Sequence, residues 1–281
     1  MLNDTELKRL QRCELMIAEE IKRVCTSEGI PFFMVFGTML GAIRHGGFIP
    51  WDDDIDFGVP AEYYDKFRQA CLSKLSENFE FQDWDVDPDY PYPFGKIRLK
   101  NTVADENFTS EKSSHRGIFV DVFPIIEINS DAEFKLRAEK KNTMYMRKLW
   151  IKKGYGKCIR RESFKQRVKY DVFKFINLFS NYEKTKESYK KFISGLADNA
   201  SGEMLTLGSN YSIKKLIIMR DWTENLVDYT FENITLPGFK EYDSYLSLVY
   251  GDYMKLPDEK DRHTHEIKSV DFGRYKNISI S

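Results

Sequence analysis

Asp54 and Asp56 stand two residues apart in the run Asp52-Asp53-Asp54-Ile55-Asp56-Phe57-Gly58, a spacing that could hold a divalent cation. In an extended chain, residues i and i+2 project from one face ~6.5–7 Å apart, so the two carboxylates point together while Ile55 and Phe57 enter a core. Like charges that close repel unless a cation joins them. Hard oxygen ligands suit Mg²⁺ or Mn²⁺, commonly held by one or two carboxylates with substrate phosphates completing the shell. The chemistry to expect is metal-dependent phosphoryl transfer. A merely solvated acidic loop is the bland alternative, and the interleaved apolar residues, with Trp51 before and Val59-Pro60 after, argue against it. A calcium loop fails on spacing, since Phe57 stands where an EF-hand needs Gly and Tyr63 where it needs Glu.

Two further features could complete such a site. Gly37-Thr38 lies between an apolar run and a helix start, where backbone N–H groups, a hydroxyl and the positive helix end could meet a phosphate; an ordinary strand-to-helix turn has the same sequence. Asp121 sits among β-forming apolar neighbours in Gly117-Ile118-Phe119-Val120-Asp121-Val122-Phe123-Pro124. A lone carboxylate there is costly unless it pairs with a cation or lies at an exposed edge. It is a candidate third metal ligand and a candidate general base.

The elements that must position these residues are legible in outline. Asn3 or Asp4 can cap a helix carrying Leu7, Leu10, Ile21 and Val24, with Gly29 to end it. Residues 32–36 read as a buried strand, 38–44 as a short helix, Gly46-Gly47 as a turn, and the acidic segment as a strand to about Val59, with a helix from Pro60. Strands are expected at 79–84, 95–99 and 117–123, a mainly helical stretch from about 130 to 224, a strand at 226–236 and a helix at 242–250 stopped by Gly251. The expected organisation is a catalytic core over 1–128, a helical basic region over 129–225, and a return to the core with a lid-like tail over 226–281.

Composition narrows the class. A chain of 281 residues, 42% hydrophobic, can bury a large core, and a net charge of -1 gives no global excess that would call for nucleic acid. Charge is uneven locally: residues 135–169 hold fourteen Lys or Arg against two acids, Glu139 and Glu162. Cys13, Cys25, Cys71 and Cys158 show no C-x-x-C spacing and read as reduced, buried thiols. With neither a signal peptide pattern nor a membrane span, a cytoplasmic location is expected.

The run from Phe36 to Asp56, Phe-Gly-Thr-Met-Leu-Gly-Ala-Ile-Arg-His-Gly-Gly-Phe-Ile-Pro-Trp-Asp-Asp-Asp-Ile-Asp, resembles the signature of the LicD family. Lys96-Ile97-Arg98 with Asn101-Thr102, the segment 117–124, and Tyr250-Gly251-Asp252-Tyr253-Met254 with His263 and His265 resemble its further blocks. The resemblance covers roughly residues 30–125 and 230–266. It implies an α+β nucleotidyltransferase-like fold, a mixed sheet flanked by helices and related to fukutin-like enzymes, with the helical region added. It also implies Gly37 and Thr38 at phosphate, metal on Asp54, Asp56 and Asp121, and transfer of phosphocholine from CDP-choline to a sugar hydroxyl of a bacterial surface glycan such as teichoic acid or lipopolysaccharide.

Within that reading Lys96 and Arg98 could bind phosphate, or pair with acids in 77–89. Arg44 and His45 could reach phosphate or fix the loop against Asp52 or Asp53. His263 and His265 suit a lid or a leaving-group contact; a zinc site would need partners at ligand spacing. Choline is recognised by aromatic faces, with Trp51, Trp84, Tyr90 and Tyr92 as candidates. Lys148, Lys152, Lys153, Arg160 and Arg161 could meet anionic lipid at the inner face of a bacterial membrane, where a lipid-linked glycan acceptor would be presented; a solvated face is the alternative. Two rivals remain: the same chemistry with another CDP-activated polyol phosphate or an NTP, and a non-catalytic membrane-binding scaffold.

Overall fold

The computed structural model describes residues 2–106, 115–155, 163–209, 211–259, 262 and 267–279. In chain order the elements are α1 (Asp4–Glu28), β1 (Phe33–Met34), α2 (Phe36–His45), β2 (Asp56–Pro60), α3 (Ala61–Lys74), β3 (Phe79–Gln82), β4 (Gly95–Leu99), β5 (Val103–Glu106) and β6 (Phe119–Ile128). They continue as α4 (Ala132–Lys153), α5 (Phe164–Leu178), α6 (Tyr182–Ser194), β7 (Glu203–Thr206), α7 (Ile213–Leu216), β8 (Ile217–Met219), α8 (Arg220–Glu224), β9 (Leu226–Phe231), β10 (Ile234–Phe239), α9 (Tyr242–Tyr250) and β11 (Ile267–Asp271).

The local signals are met where they were strongest. Asn3 caps α1 in a reciprocal box with Glu6, and Gly29 ends it at φ +59. One face of α1, including Leu10, Ile17, Ile21 and Val24, is buried in the main core. Cys13, Cys25 and Cys71 are free and buried, with burial pushing the Cys13 and Cys25 thiols up to about 12. Cys158 lies outside the described residues.

The main sheet runs β1-β2-β6-β4-β3, with β7 and β8 continuing from β6. It is mixed: β2 pairs parallel with β6, and the other neighbours are antiparallel. The architecture is α+β, a mixed sheet flanked by helices. Ten residues long, β6 pairs with β4 through its first half and with β7 through its second, so the sheet curls about it.

Three details differ from the sequence reading. The stretch from 130 to 224 is mainly helical as expected, and it also carries two short strands, β7 and β8, that return to the sheet. Residues 226–236 are not one strand: β9 and β10 form a hairpin, turning at Glu232 with φ +54. The acidic strand begins only at Asp56, and of residues 52–55 just Ile55 is tied to the sheet, its carbonyl accepting from the Asp121 N–H at 3.1 Å.

Candidate active site

β2 and β6 set the centre of the site by register. Asp56 is the cross-strand partner of Asp121, and Asp121 is in turn the partner of Lys96 on β4. Three charged side chains therefore form one row across adjacent strands. Lys96 Nζ lies 2.9 Å from Asp121 Oδ1 and 3.2 Å from the centre of the Phe119 ring. The cation is buried, joined to a carboxylate and seated on an aromatic face. Asp54 joins the row along the chain, since Asp54 and Asp56 are half-exposed while Asp53, Ile55 and Phe57 are buried, the alternation an extended segment imposes.

The loop carrying the acids is held from three sides. Gln11 Nε2 of α1 donates to the Asp52 carbonyl at 2.9 Å, and the Asp56 N–H donates to Thr38 Oγ1 at 2.8 Å. The tip of the β9–β10 hairpin supplies the third hold: Phe48 N–H donates to Glu232 Oε1 at 3.0 Å, and Glu232 N–H donates to the Gly46 carbonyl at 2.8 Å. Gly41 is needed because the loop crosses α2 there. A Cβ on Gly41 would be driven into the Gly47 carbonyl oxygen and lie 3.2 Å from the Ile49 nitrogen. Alanine in a helix interior normally gains about 1 kcal/mol over glycine, yet Gly41→Ala should lose about 1–3 kcal/mol through overpacking. Urea unfolding would check this, and a stabilised variant would contradict the packing described.

α2 starts under constraint. Phe36 has φ +49, uncommon for a bulky residue, and its N–H donates to the Tyr245 hydroxyl at 2.9 Å. Its ring meets Tyr211 at 5.3 Å and Phe123 at 5.9 Å. At Gly37 a Cβ would lie 2.7 Å from Asp52 Oδ2, so the absence of a side chain lets that carboxylate approach the helix start.

These groups face one cavity of about 1530 Å³. Its acidic end is lined by Gly37, Asp52, Asp54, Asp56, Asp121 and Lys96. α4 lines it with Glu139, Asn142, Met146, Arg147 and Trp150, and Tyr92 and Phe94 line it too, the Phe94 ring centre 6.0 Å from Lys96 Nζ. Arg44 and most residues of the segment 252–258 line it as well. Tyr211 reports the field of the acidic row: burial, then Asp56, Asp54 and Asp52, push its phenol up to about 12.

Not every sequence candidate faces this space. Thr38 is buried behind the wall, where its hydroxyl accepts from Asp56, so it positions the strand. Arg98 shares a face with Lys96 but is buried away from the cavity, donating from Nε to Gln82 Oε1 at 2.6 Å and from Nη1 to the Gly117 carbonyl at 2.7 Å. Arg44 lines the cavity, donating from Nη1 to the Tyr253 carbonyl at 2.8 Å and from Nε to His45 Nε2 at 3.0 Å. Burial and then Arg44 lower the His45 pKa, as expected for a neutral ring accepting that bond. His263 and His265 lie outside the described residues.

Of the aromatic candidates, Trp51 and Tyr92 line the cavity, whereas Trp84 packs on Tyr189 and Tyr90 is buried. Arg262 already lies over the Trp51 ring at 4.5 Å. Tyr92 stands 5.9 Å from Trp150 and 5.2 Å from Phe94, and all three line the cavity. Sequence reasoning missed Phe94, Glu139, Arg147, Trp150, Tyr211 and Glu232 as parts of the site. Periodicity marks them only as helix, strand or loop residues, and a positive φ at Phe36 or Glu232 leaves no compositional trace.

Asp54, Asp56 and Asp121 could share a cation with substrate oxygens. Among the described residues no three His, Cys, Asp or Glu side chains gather into a ligand set by themselves.

Residues 29–164 match the family model described as LicD/FKTN/FKRP, nucleotidyltransferase domain. The lipopolysaccharide cholinephosphotransferase LicD of Haemophilus influenzae is 25% identical over 270 residues, covering 94% of this chain and 97% of that protein. An uncharacterised protein of Rickettsia prowazekii is 40% identical over 115 residues, 41% of this chain and 39% of its own. The human ribitol 5-phosphate transferase FKRP is 40% identical over 45 residues, 16% of this chain and 9% of that protein. With residues of the 36–56 signature lining the cavity beside the acidic row, residues 29–164 form a LicD-family nucleotidyltransferase domain, and the likeness to the H. influenzae protein extends over 94% of the chain.

Proposed function

We propose that this protein is a metal-dependent phosphocholine transferase that moves phosphocholine from CDP-choline to a sugar hydroxyl of a lipid-linked precursor of a bacterial surface glycan, teichoic acid or lipopolysaccharide. The observation that carries the reading is one cavity lined by carboxylates, a buried lysine and aromatic faces together. The name of the H. influenzae relative, a lipopolysaccharide cholinephosphotransferase, supports phosphocholine as the group transferred. A non-catalytic scaffold would have no need to keep like-charged carboxylates together in a cavity.

The charges assign the parts. Asp54, Asp56 and Asp121 would hold Mg²⁺ or Mn²⁺, which supplies charge neutralisation at the diphosphate when bound. Lys96 adds a fixed positive charge beside the same row, and Arg44 and Arg147 line the space a CMP leaving group would need. Asp121 is the candidate to take the acceptor proton as the acceptor oxygen bonds to phosphorus and the bond to the CMP oxygen breaks. Tyr92, Phe94 and Trp150, with Glu139 on the same wall, form the surface suited to a quaternary ammonium.

A second donor reading rests on the FKRP relative, whose name specifies ribitol 5-phosphate transfer. Donor screening with Mg²⁺ or Mn²⁺ separates the choices. CMP release from CDP-choline is expected; turnover of CDP-ribitol alone would change the donor, and pyrophosphate release from an NTP would replace phosphocholine transfer by nucleotidyl transfer.

A further inference from the structure

α5 carries two opposed faces. Tyr170, Phe173 and Asn177, at helical spacing, turn inward, and the buried Asn177 amide donates to the Lys148 carbonyl of α4 at 2.9 Å. On the other side Phe164, Val168, Val172, Phe175 and Phe179 recur every three or four residues along one exposed stripe. Ile176 and Leu178 border it. Phe164 and Phe179 are 80% and 81% exposed, so the stripe is open from end to end. Contiguous apolar surface of this kind marks an interaction site.

Charge identifies what covers it. Lys165 and Lys169 flank the stripe on one side and Lys174 on the other, with the one acid on the helix, Asp171, at its edge. Two copies laid stripe to stripe would bring these cations together. An anionic bilayer surface neutralises them and accepts the Phe and Val side chains below its headgroups. The basic residues expected from sequence to do this are partly spent within the protein: Lys152 Nζ donates to the Leu178 carbonyl at 2.9 Å, and Lys153 Nζ pairs with Asp89 at 3.3 Å. Arg160 and Arg161 lie outside the described residues. Among the described residues no helix is long and apolar enough to cross a membrane.

We infer that α5 is an in-plane membrane helix, seating its exposed apolar stripe in anionic lipid while α4, against which it packs, presents its cavity wall on another side. This surface does not depend on which donor the active site takes, since no α5 residue lines the cavity.

The test is sedimentation of the full chain with vesicles of equal parts phosphatidylglycerol and phosphatidylcholine, beside vesicles of phosphatidylcholine alone. Binding to the anionic vesicles is expected, weakened at least about tenfold by the combined changes Phe164→Ser, Phe175→Ser and Phe179→Ser. It should also weaken when Lys165, Lys169 and Lys174 are changed to Gln. Because all six side chains are exposed, circular dichroism should show the fold retained and CDP-choline affinity should not change. Absence of wild-type binding to anionic vesicles, or binding unaltered by the Phe changes, overturns the inference. So does a dimer in light scattering that the same Phe changes dissolve, which would give the stripe to a second copy.

Discussion

Asp56→Asn should lower CMP release from CDP-choline on the order of 10²–10³-fold, the scale on which a single electrostatic contact to developing charge acts. Asn keeps the size and removes the charge, and the strand is fixed by bonds the change does not touch: the Asp56 N–H to Thr38 Oγ1 and the Val35 N–H to the Asp56 carbonyl. Stability should be unchanged or slightly raised, because like charges directly opposite across a strand pair are destabilising and Asp56 stands opposite Asp121. Turnover paired with a melting curve reads both. Activity within about threefold of wild type, below any effect expected of a catalytic charge, would remove Asp56 from the site. Asp54→Asn and Asp121→Asn should behave alike in rate.

The second large effect is on stability. Lys96 and Asp121 are a buried pair, 5% and 16% exposed at their side chains, joined at 2.9 Å. Lys96→Met keeps the stem and deletes the charge, stranding Asp121, and should cost about 2–4 kcal/mol. Asp121→Asn made on top of it should return part of that loss, because the stranded charge is gone. A double-mutant cycle by urea unfolding should give a coupling of about 1–3 kcal/mol. Additive losses would mean that the two charges act independently and that the row is not a unit. Both variants should also lose turnover.

How much of this was legible in sequence depended on whether the signal was local. Asp54 and Asp56 could be read because alternation with Ile55 and Phe57 is a property of the chain itself, and Gly29, Pro60 and Gly251 punctuate their elements in place. The row Asp56–Asp121–Lys96 could not be read, because it is set by the registers of β2 on β6 and β6 on β4. Thr38 and Arg98 have the right chemistry for phosphate but were turned to other partners by the same packing. On α5, both Phe173 and Ile176 count as apolar positions in a periodic pattern, yet one faces inward and the other is 62% exposed. Periodicity reports two faces without saying which is covered. Glu232 anchors the signature loop from nearly two hundred residues away, a contact that only the fold creates.

The most direct test of the central claim is a transfer assay with choline-labelled CDP-choline, Mg²⁺ or Mn²⁺ and a crude lipid-linked glycan extract, run on wild type and Asp54→Asn. The account predicts that label moves to the glycan in step with CMP release, that release depends on the acceptor, and that both are lost in the variant. CMP release without label on the glycan, or equal transfer by wild type and Asp54→Asn, would contradict it.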